Sequence, residues 1–283
     1  MSEYANPGSL VSTDWLADHL QDPDLRVLDV DEDTDAYHRG HIPGSLGVHW
    51  RQDLQAPVNR DFVSPEGFAA LMDRLGIGPD TRVVLYGGNK NWFAAYGYWY
   101  FKYYGHPNVQ LLNGGRRKWE LEGRPLVTEV PQVAPGTGYP IPNEDESIRA
   151  YRDQIATEFL GRPGKSLVDV RSPEEYRGER ISPDHLPQEG AQRPGHIPGA
   201  RNVPWSRAVD PEQETFLPPD QLRDLYLTEG VDPAHEVVAY CRIGERSAHT
   251  WFVLRELLGY PRVRNYDGSW TEWGSLVKAP IER

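Results

Sequence analysis

Thiols are almost absent from this chain: Cys241 is the one cysteine in 283 residues. A single thiol excludes an intrachain disulfide, a Cys-x-x-Cys redox pair and a thiolate zinc site. Positive charge is also short. Lys and Arg number 30 against 42 Asp and Glu, a net charge of −12. A chain of that sign repels nucleic acid and anionic membranes at long range, so neither is expected as a partner, and an anionic ligand has to be captured by local groups. No run approaches the ~18 uninterrupted apolar residues of a membrane span. The opening MSEYANPGSL lacks the basic and apolar stretches of a secretory leader, which sets the expectation of a cytoplasmic protein.

What is present is a repeat. VLDVDEDTDAYHRGHIPGSLGVHW (27–50) returns from 167 as LVDVRSPEEYRGE, followed by RPGHIPGARNVPW. RVVLYGGNK (82–90) matches EVVAYCRIG (236–244), and LLNGGRRKWELEGRPL (111–126) matches RNYDGSWTEWGSLVKAP (264–280). The second copy carries about fifteen extra residues around ERISPDHLPQEGAQ (179–192). Between the copies, PLVTEVPQVAPGTGYPIPNEDES (125–147) holds five prolines and two glycines without apolar periodicity, which reads as a linker. The expected organisation is a first domain over 1–126, a linker over 127–147 and a second domain over 148–283.

Each copy alternates short β-branched runs (LRVLDV, RVVLYG, VQLLNG; SLVDV, EVVAYC, RVRNY) with helical stretches such as SPEGFAALMDRLG and PDQLRDLYLTEG. Pro near the start and Gly at the end mark the helix limits. The pattern predicts two α/β domains, each a mainly parallel sheet flanked by helices. In such sheets ligands bind at the carboxyl ends of strands. Cys241 stands at such an end, directly after EVVAY. Arg242, Ile243, Gly244, Glu245, Arg246 and Ser247 follow, and SAHTWFVLRELLG reads as a helix. A strand, a short loop and a helix N-terminus form an anion-binding geometry, and Gly244 supplies the positive φ of a tight loop. Two arginines and a helix end beside the thiol predict a pKa below the ~8.5 of free cysteine, hence a nucleophile.

CRIGERS, DVRSPEEY and the duplicated GHIPG resemble the tandem-domain rhodanese family of sulfurtransferases, over essentially the whole chain. The resemblance implies a catalytic second domain and a first domain that is an inactive copy. The repeat agrees, since Gly87 takes the place of Cys241. It also implies transfer in two halves without metal or organic cofactor. The cysteine takes the outer sulfur of thiosulfate as a persulfide, sulfite leaves, and cyanide or a thiol removes the sulfur. Fold-related phosphatases place five residues between Cys and Arg; here four separate Cys241 from Arg246, a loop sized for one sulfur atom. Two family features are missing: Ile243 stands where animal thiosulfate-using members carry lysine, and Glu175 where they carry arginine. Arg246 is therefore the first candidate for the substrate's charge and Arg242 the second. The charged loop favours thiosulfate over 3-mercaptopyruvate. Mercaptopyruvate transfer, or a persulfide carrier or binding module for a protein partner, remain the alternatives.

Other residues read as structural. His41 and His196 belong to turns, the more so since the thiol-less copy keeps its histidine. Asp29 and Asp169 end strands and bond nearby backbone. Arg171 either lines the site or forms an ion pair. The five acids of 29–35 read as a solvated loop. The tryptophans, including the matched Trp119 and Trp273, read as core and interdomain packing.

Overall fold

Runs of aliphatic and β-branched residues become strands buried on both faces, as a parallel sheet requires. The computed structural model describes residues 3–134, 136–182 and 190–283, and these divide into two units. The N-terminal unit comprises Gly8–Asp145 and Val209–Phe216. Its strands are β1 (Leu10–Val11), β2 (Leu25–Asp29), β3 (Leu46–Gly47), β4 (Arg82–Tyr86) and β5 (Val109–Leu112), all parallel in the order β1-β5-β4-β2-β3. The C-terminal unit comprises Met1–Pro7, Glu146–Ala208 and Leu217–Arg283. Its strands are β6 (Lys165–Asp169), β7 (Arg201–Asn202), β8 (Glu236–Tyr240) and β9 (Val263–Tyr266), parallel in the order β7-β6-β8-β9.

The helix signals hold. Ser64 caps the helix Pro65–Arg74, its hydroxyl accepting from Gly67 N at 3.2 Å, and PDQLRDLYLT forms the helix Pro219–Thr228. The helix Trp92–Tyr103 is apolar almost all round and accordingly buried, with Trp99, Tyr100 and Tyr103 packed around Phe62.

The repeated motifs do the same work twice. Ile42 and Ile197 are fully buried. Their backbone N–H groups donate to the hydroxyls of Tyr86 and Tyr240, at 3.0 and 3.1 Å. Gly44 and Gly199 turn the chain at φ 78° and 75°. Each histidine stacks on a tyrosine, His41 on Tyr37 at 3.9 Å and His196 on Tyr176 at 3.6 Å. Each donates from Nδ1 to that tyrosine's carbonyl, at 2.9 and 2.8 Å. Trp119 and Trp273 are buried and donate to the carbonyls of Pro125 and Pro280, at 2.9 and 3.0 Å.

Three segments depart from the linear reading. The proline-rich stretch is attached to the N-terminal unit: Val127 bridges His41 antiparallel, Thr137 donates to Asp73 at 2.7 Å, and Asp145 N donates to Tyr103 O at 2.7 Å. Residues Val209–Phe216 belong to that unit also, through Lys90 N to Glu214 Oε2 at 2.7 Å and Phe216 N to Asn113 Oδ1 at 2.9 Å. The first residues belong to the C-terminal unit, Ala5 N donating to Leu257 O at 2.9 Å. The centre of the extra segment at 179–192 lies outside the described residues. Among the described residues no helix is long and apolar enough to cross a membrane.

Candidate active site

β8 runs between β6 and β9, and its last four residues are buried. The chain leaves it at Cys241, passes Arg242 and Ile243, and enters the helix Glu245–Phe252 at Gly244. Gly244 has φ 98°, and a Cβ there would lie 2.6 Å from the Asp267 Cα, so glycine is required on both counts. The segment after β9 grips the loop's main chain. Cys241 N donates to Ser269 Oγ at 3.0 Å, Trp270 N to Cys241 O at 3.1 Å, and Thr271 N and Oγ1 to Arg242 O at 3.1 Å each. Asn265 donates to Gly244 O at 2.9 Å and accepts from Ser247 Oγ at 2.6 Å.

The thiol is fully buried. Its sulfur accepts from Gly244 N at 3.2 Å and donates to Glu245 Oε2 at 3.3 Å. The expected fall in its pKa is not what the surroundings give. Burial pushes the Cys241 thiol up, the Glu245 carboxylate pushes it further, and Arg246 and Ser247 oppose them without prevailing. The sequence placed two cations near the thiol; the fold adds desolvation and sets the Glu245 carboxylate 3.3 Å from the sulfur.

The cations are paired. Arg242 donates to Glu245 Oε1 at 3.1 Å, and Ile243 N donates to Glu245 Oε2 at 3.3 Å. Burial raises Glu245, but Arg242 and Arg246 outweigh it and hold the carboxyl below the usual range. Arg246 spends its fork on Glu175: Nη1 to Oε2 at 2.9 Å and Nη2 to Oε1 at 3.0 Å, with both side chains buried. Glu175 is fixed from the other side by a capping box, Ser172 N donating to Oε2 at 3.1 Å and Glu175 N to Ser172 Oγ at 3.2 Å. The excess positive charge read from CRIGER is therefore balanced in place. Arg171 is wholly buried in an ion pair with Asp169 at 2.6 Å, donates to Gly195 O at 2.7 Å and lies over the Trp270 ring at 4.6 Å. Of its two readings, the structure supports the ion pair.

Ser269 was not among the expected site residues. It holds φ 52°, a left-handed conformation costly for any residue with a Cβ. The matching residue of the N-terminal unit, at the same φ, is Gly115. A serine is thus kept at a glycine position, and its hydroxyl is what receives the Cys241 N–H. Ser269→Gly relieves strain and orphans that N–H, effects that offset to within about 1 kcal/mol. We expect thermal unfolding near that of the unaltered protein and alkylation of the Cys241 thiol by iodoacetamide slowed roughly tenfold, read by intact mass over time. An unchanged rate would make Ser269 a packing residue only.

The corresponding loop of the N-terminal unit is differently filled. Gly87 N donates to Asn91 Oδ1 at 2.9 Å, and a Cβ at Gly87 would run into the Val30 carbonyl oxygen. The acidic run is not wholly solvated. Asp29 is buried against Arg116, and Asp31 is buried and accepts from Gly88 N at 2.6 Å. Burial raises Asp29 to about 6 despite Arg116. Among the described residues no cluster of three or more metal-ligating side chains occurs.

Comparison with known proteins shows the family. A family model described as "Rhodanese-like domain" matches twice, at residues 12–122 and 153–276. The "Sulfur carrier protein TtuD" of Thermus thermophilus is 58% identical over 282 residues, covering 99% of this chain and 98% of the relative. A Mycobacterium tuberculosis protein named "Putative thiosulfate sulfurtransferase" is 56% identical over 273 residues, covering 96% and 97%. Among solved structures, the anaerobic ergothioneine biosynthesis enzyme of Chlorobium limicola, in complex with trimethyl histidine, superposes with a TM-score of 0.84 at 27% identity. It covers 100% of this chain and 72% of that one.

Proposed function

The chain belongs to the rhodanese family, with two rhodanese-like domains and a sulfurtransferase or sulfur-carrier chemistry, and from that premise we propose that it moves the sulfane sulfur of thiosulfate to a nucleophilic acceptor, cyanide or a thiol, through a persulfide on Cys241. One observation carries the reading. The only thiol lies at the carboxyl end of β8, beneath a helix N-terminus, with a loop N–H already directed at its sulfur.

The chemistry balances without an external oxidant. The Cys241 proton passes to solvent, and the thiolate attacks the outer sulfur of thiosulfate. The bond from that sulfur to the sulfonate breaks, and its electron pair departs with sulfite. A terminal persulfide sulfur remains. Gly244 N and the first turn of the helix Glu245–Phe252 are donors suited to its charge. An acceptor then attacks the outer sulfur and returns Cys241 as thiolate. Cyanide would give thiocyanate; a thiol would give a new persulfide.

A second reading has its own support. Both loop arginines are neutralised by buried carboxylates, which favours a donor of lower charge such as 3-mercaptopyruvate. The name of the Thermus relative supports a carrier role, the persulfide passing to a protein. The deciding experiment incubates the protein with each donor, reads the mass of one added sulfur, and compares steady-state kcat/KM. Sulfur addition from thiosulfate, discharged by cyanide, is expected. Addition from mercaptopyruvate alone would replace the donor, and addition from neither would overturn the proposal.

A further inference from the structure

We infer that Glu245 is the donor-selecting residue of this site, its carboxylate against the Cys241 sulfur acting as a barrier to dianionic sulfur donors. The inference rests on the sulfurtransferase reading and concerns rate: thiosulfate, the donor proposed above, is used more slowly, relative to a singly charged donor, than the loop would otherwise allow.

The geometry is specific. Glu245 is fully buried, and one of its oxygens, Oε2, receives both the Cys241 S–H at 3.3 Å and the Ile243 N–H at 3.3 Å. Its other oxygen receives Arg242 at 3.1 Å. The carboxylate is thus fixed from two sides and cannot turn from the sulfur without leaving a buried donor unmet. It is the acid in direct contact with the thiol. The other charged groups around the thiol fall into pairs. Arg246 is joined to Glu175, Arg171 to Asp169, and Arg149 to Asp267, whose backbone abuts Gly244. Each of these cations is joined to a carboxylate, as Arg242 is to Glu245, and Glu245 Oε2 is the charged atom hydrogen-bonded to the reacting sulfur, at 3.3 Å.

Two consequences follow from that placement. The carboxylate holds the proton on Cys241, in keeping with the raised thiol pKa, so every donor meets more thiol than thiolate. It also repels charge on the incoming donor, and this second effect discriminates. Thiosulfate brings two negative charges, shared between the sulfur under attack and the sulfonate oxygens beside it. Mercaptopyruvate brings one, on a carboxylate remote from its sulfur. In a buried site such a difference is felt strongly.

Glu245→Gln tests this: the amide oxygen can still accept the Ile243 N–H, the carboxylate charge is removed, and Arg242 loses its acceptor at the other oxygen. We expect kcat/KM for thiosulfate to rise at least about tenfold, and its ratio to that for mercaptopyruvate to rise by a similar factor. A ratio that stays level or falls would overturn the inference; a thiosulfate rate that drops would make Glu245 the thiol's proton acceptor instead. A second measurement needs neither turnover nor the variant. Cys241 in the unaltered protein is alkylated with neutral iodoacetamide and with anionic iodoacetate, each rate taken relative to N-acetylcysteine. Iodoacetamide should be favoured roughly tenfold, and equal relative rates would overturn the inference. Failure of the unaltered protein to take sulfur from either donor would instead remove the sulfurtransferase reading, while the alkylation ratio would still judge Glu245.

Discussion

Cys241→Ser is expected to abolish sulfur loading and turnover while leaving the fold in place. A serine oxygen is not appreciably ionised at neutral pH and cannot carry a sulfane sulfur as a persulfide does. No other thiol exists to take over. Nor could the N-terminal unit be repaired by restoring cysteine at its matching position, because a side chain at Gly87 meets the Val30 carbonyl. The substitution itself is mild. The residue is buried and small, and a hydroxyl can accept from Gly244 N and donate to Glu245 as the thiol does. Stability should stay within about 1 kcal/mol. Intact mass after exposure to thiosulfate and a cyanide-dependent assay check the result. An added sulfur on the serine variant, or residual turnover above the uncatalysed rate, would rule out a persulfide on Cys241.

The position of the thiol was legible because it depends on local pattern. EVVAY is a short β-branched run followed by a glycine-bearing loop and a helix start, and nothing distant is needed to place Cys241 at the strand's end. The duplicated copies also exposed the core, since Tyr86 and Tyr240, or Trp119 and Trp273, recur at matching places. Strands of two residues, β1, β3 and β7, carry too little pattern to be seen. Pairings between distant residues were the larger loss. Ser172-Pro173-Glu174-Glu175 has the spacing of a capping box, so Glu175's turn toward Ser172 was readable. Its second partner, Arg246, is 71 residues away. The thiol's pKa was misjudged for the same reason: nearby arginines can be counted in the sequence, whereas burial and the carboxylates that meet them cannot.

The ion pair of Asp169 shows how far such exchanges go. In the C-terminal unit its arginine is Arg171, two residues on, which also reaches Gly195 O. In the N-terminal unit the matching Asp29 is met by Arg116, from the helix Gly115–Leu121, and Arg116 also reaches Gly40 O. Position 31 holds aspartate, and the arginine stands at the place held by Trp270 in the other copy. The buried carboxylate and the glycine carbonyl beside it were kept satisfied, although the residue that satisfies them changed its place in the chain. That conservation of partners rather than positions cannot be read from one copy alone.

Arg246→Ala should bring the largest loss of stability at the site. Arg246, the first candidate for the substrate's charge, has both terminal nitrogens bonded to Glu175. Truncation leaves Glu175 buried with its charge unmet, and breaking a buried pair from one side costs about 3–5 kcal/mol. The pH dependence has a definite sign. Burial alone would raise Glu175, but Arg246 outweighs it and holds the carboxyl below its ordinary value. The pair's stabilisation is therefore fully present above the ordinary carboxylate pKa and is lost as pH falls through the lowered one. In the alanine variant the shift reverses, so acid should destabilise it less than it destabilises the unaltered protein. Arg246→Met with Glu175→Gln separates structure from chemistry, because glutamine retains the capping box and no charge is left buried. The double variant should recover most of the stability in denaturant unfolding. It also removes a cation that favours thiolate at Cys241, so its sulfur loading should be slow at neutral pH and recover as pH rises. A folded double variant whose loading stays about 10²-fold down at every pH would return Arg246 to the substrate, since that is roughly the loss from one missing oxyanion donor. An alanine variant as stable as the unaltered protein would show that the pair with Glu175 contributes nothing to holding this loop.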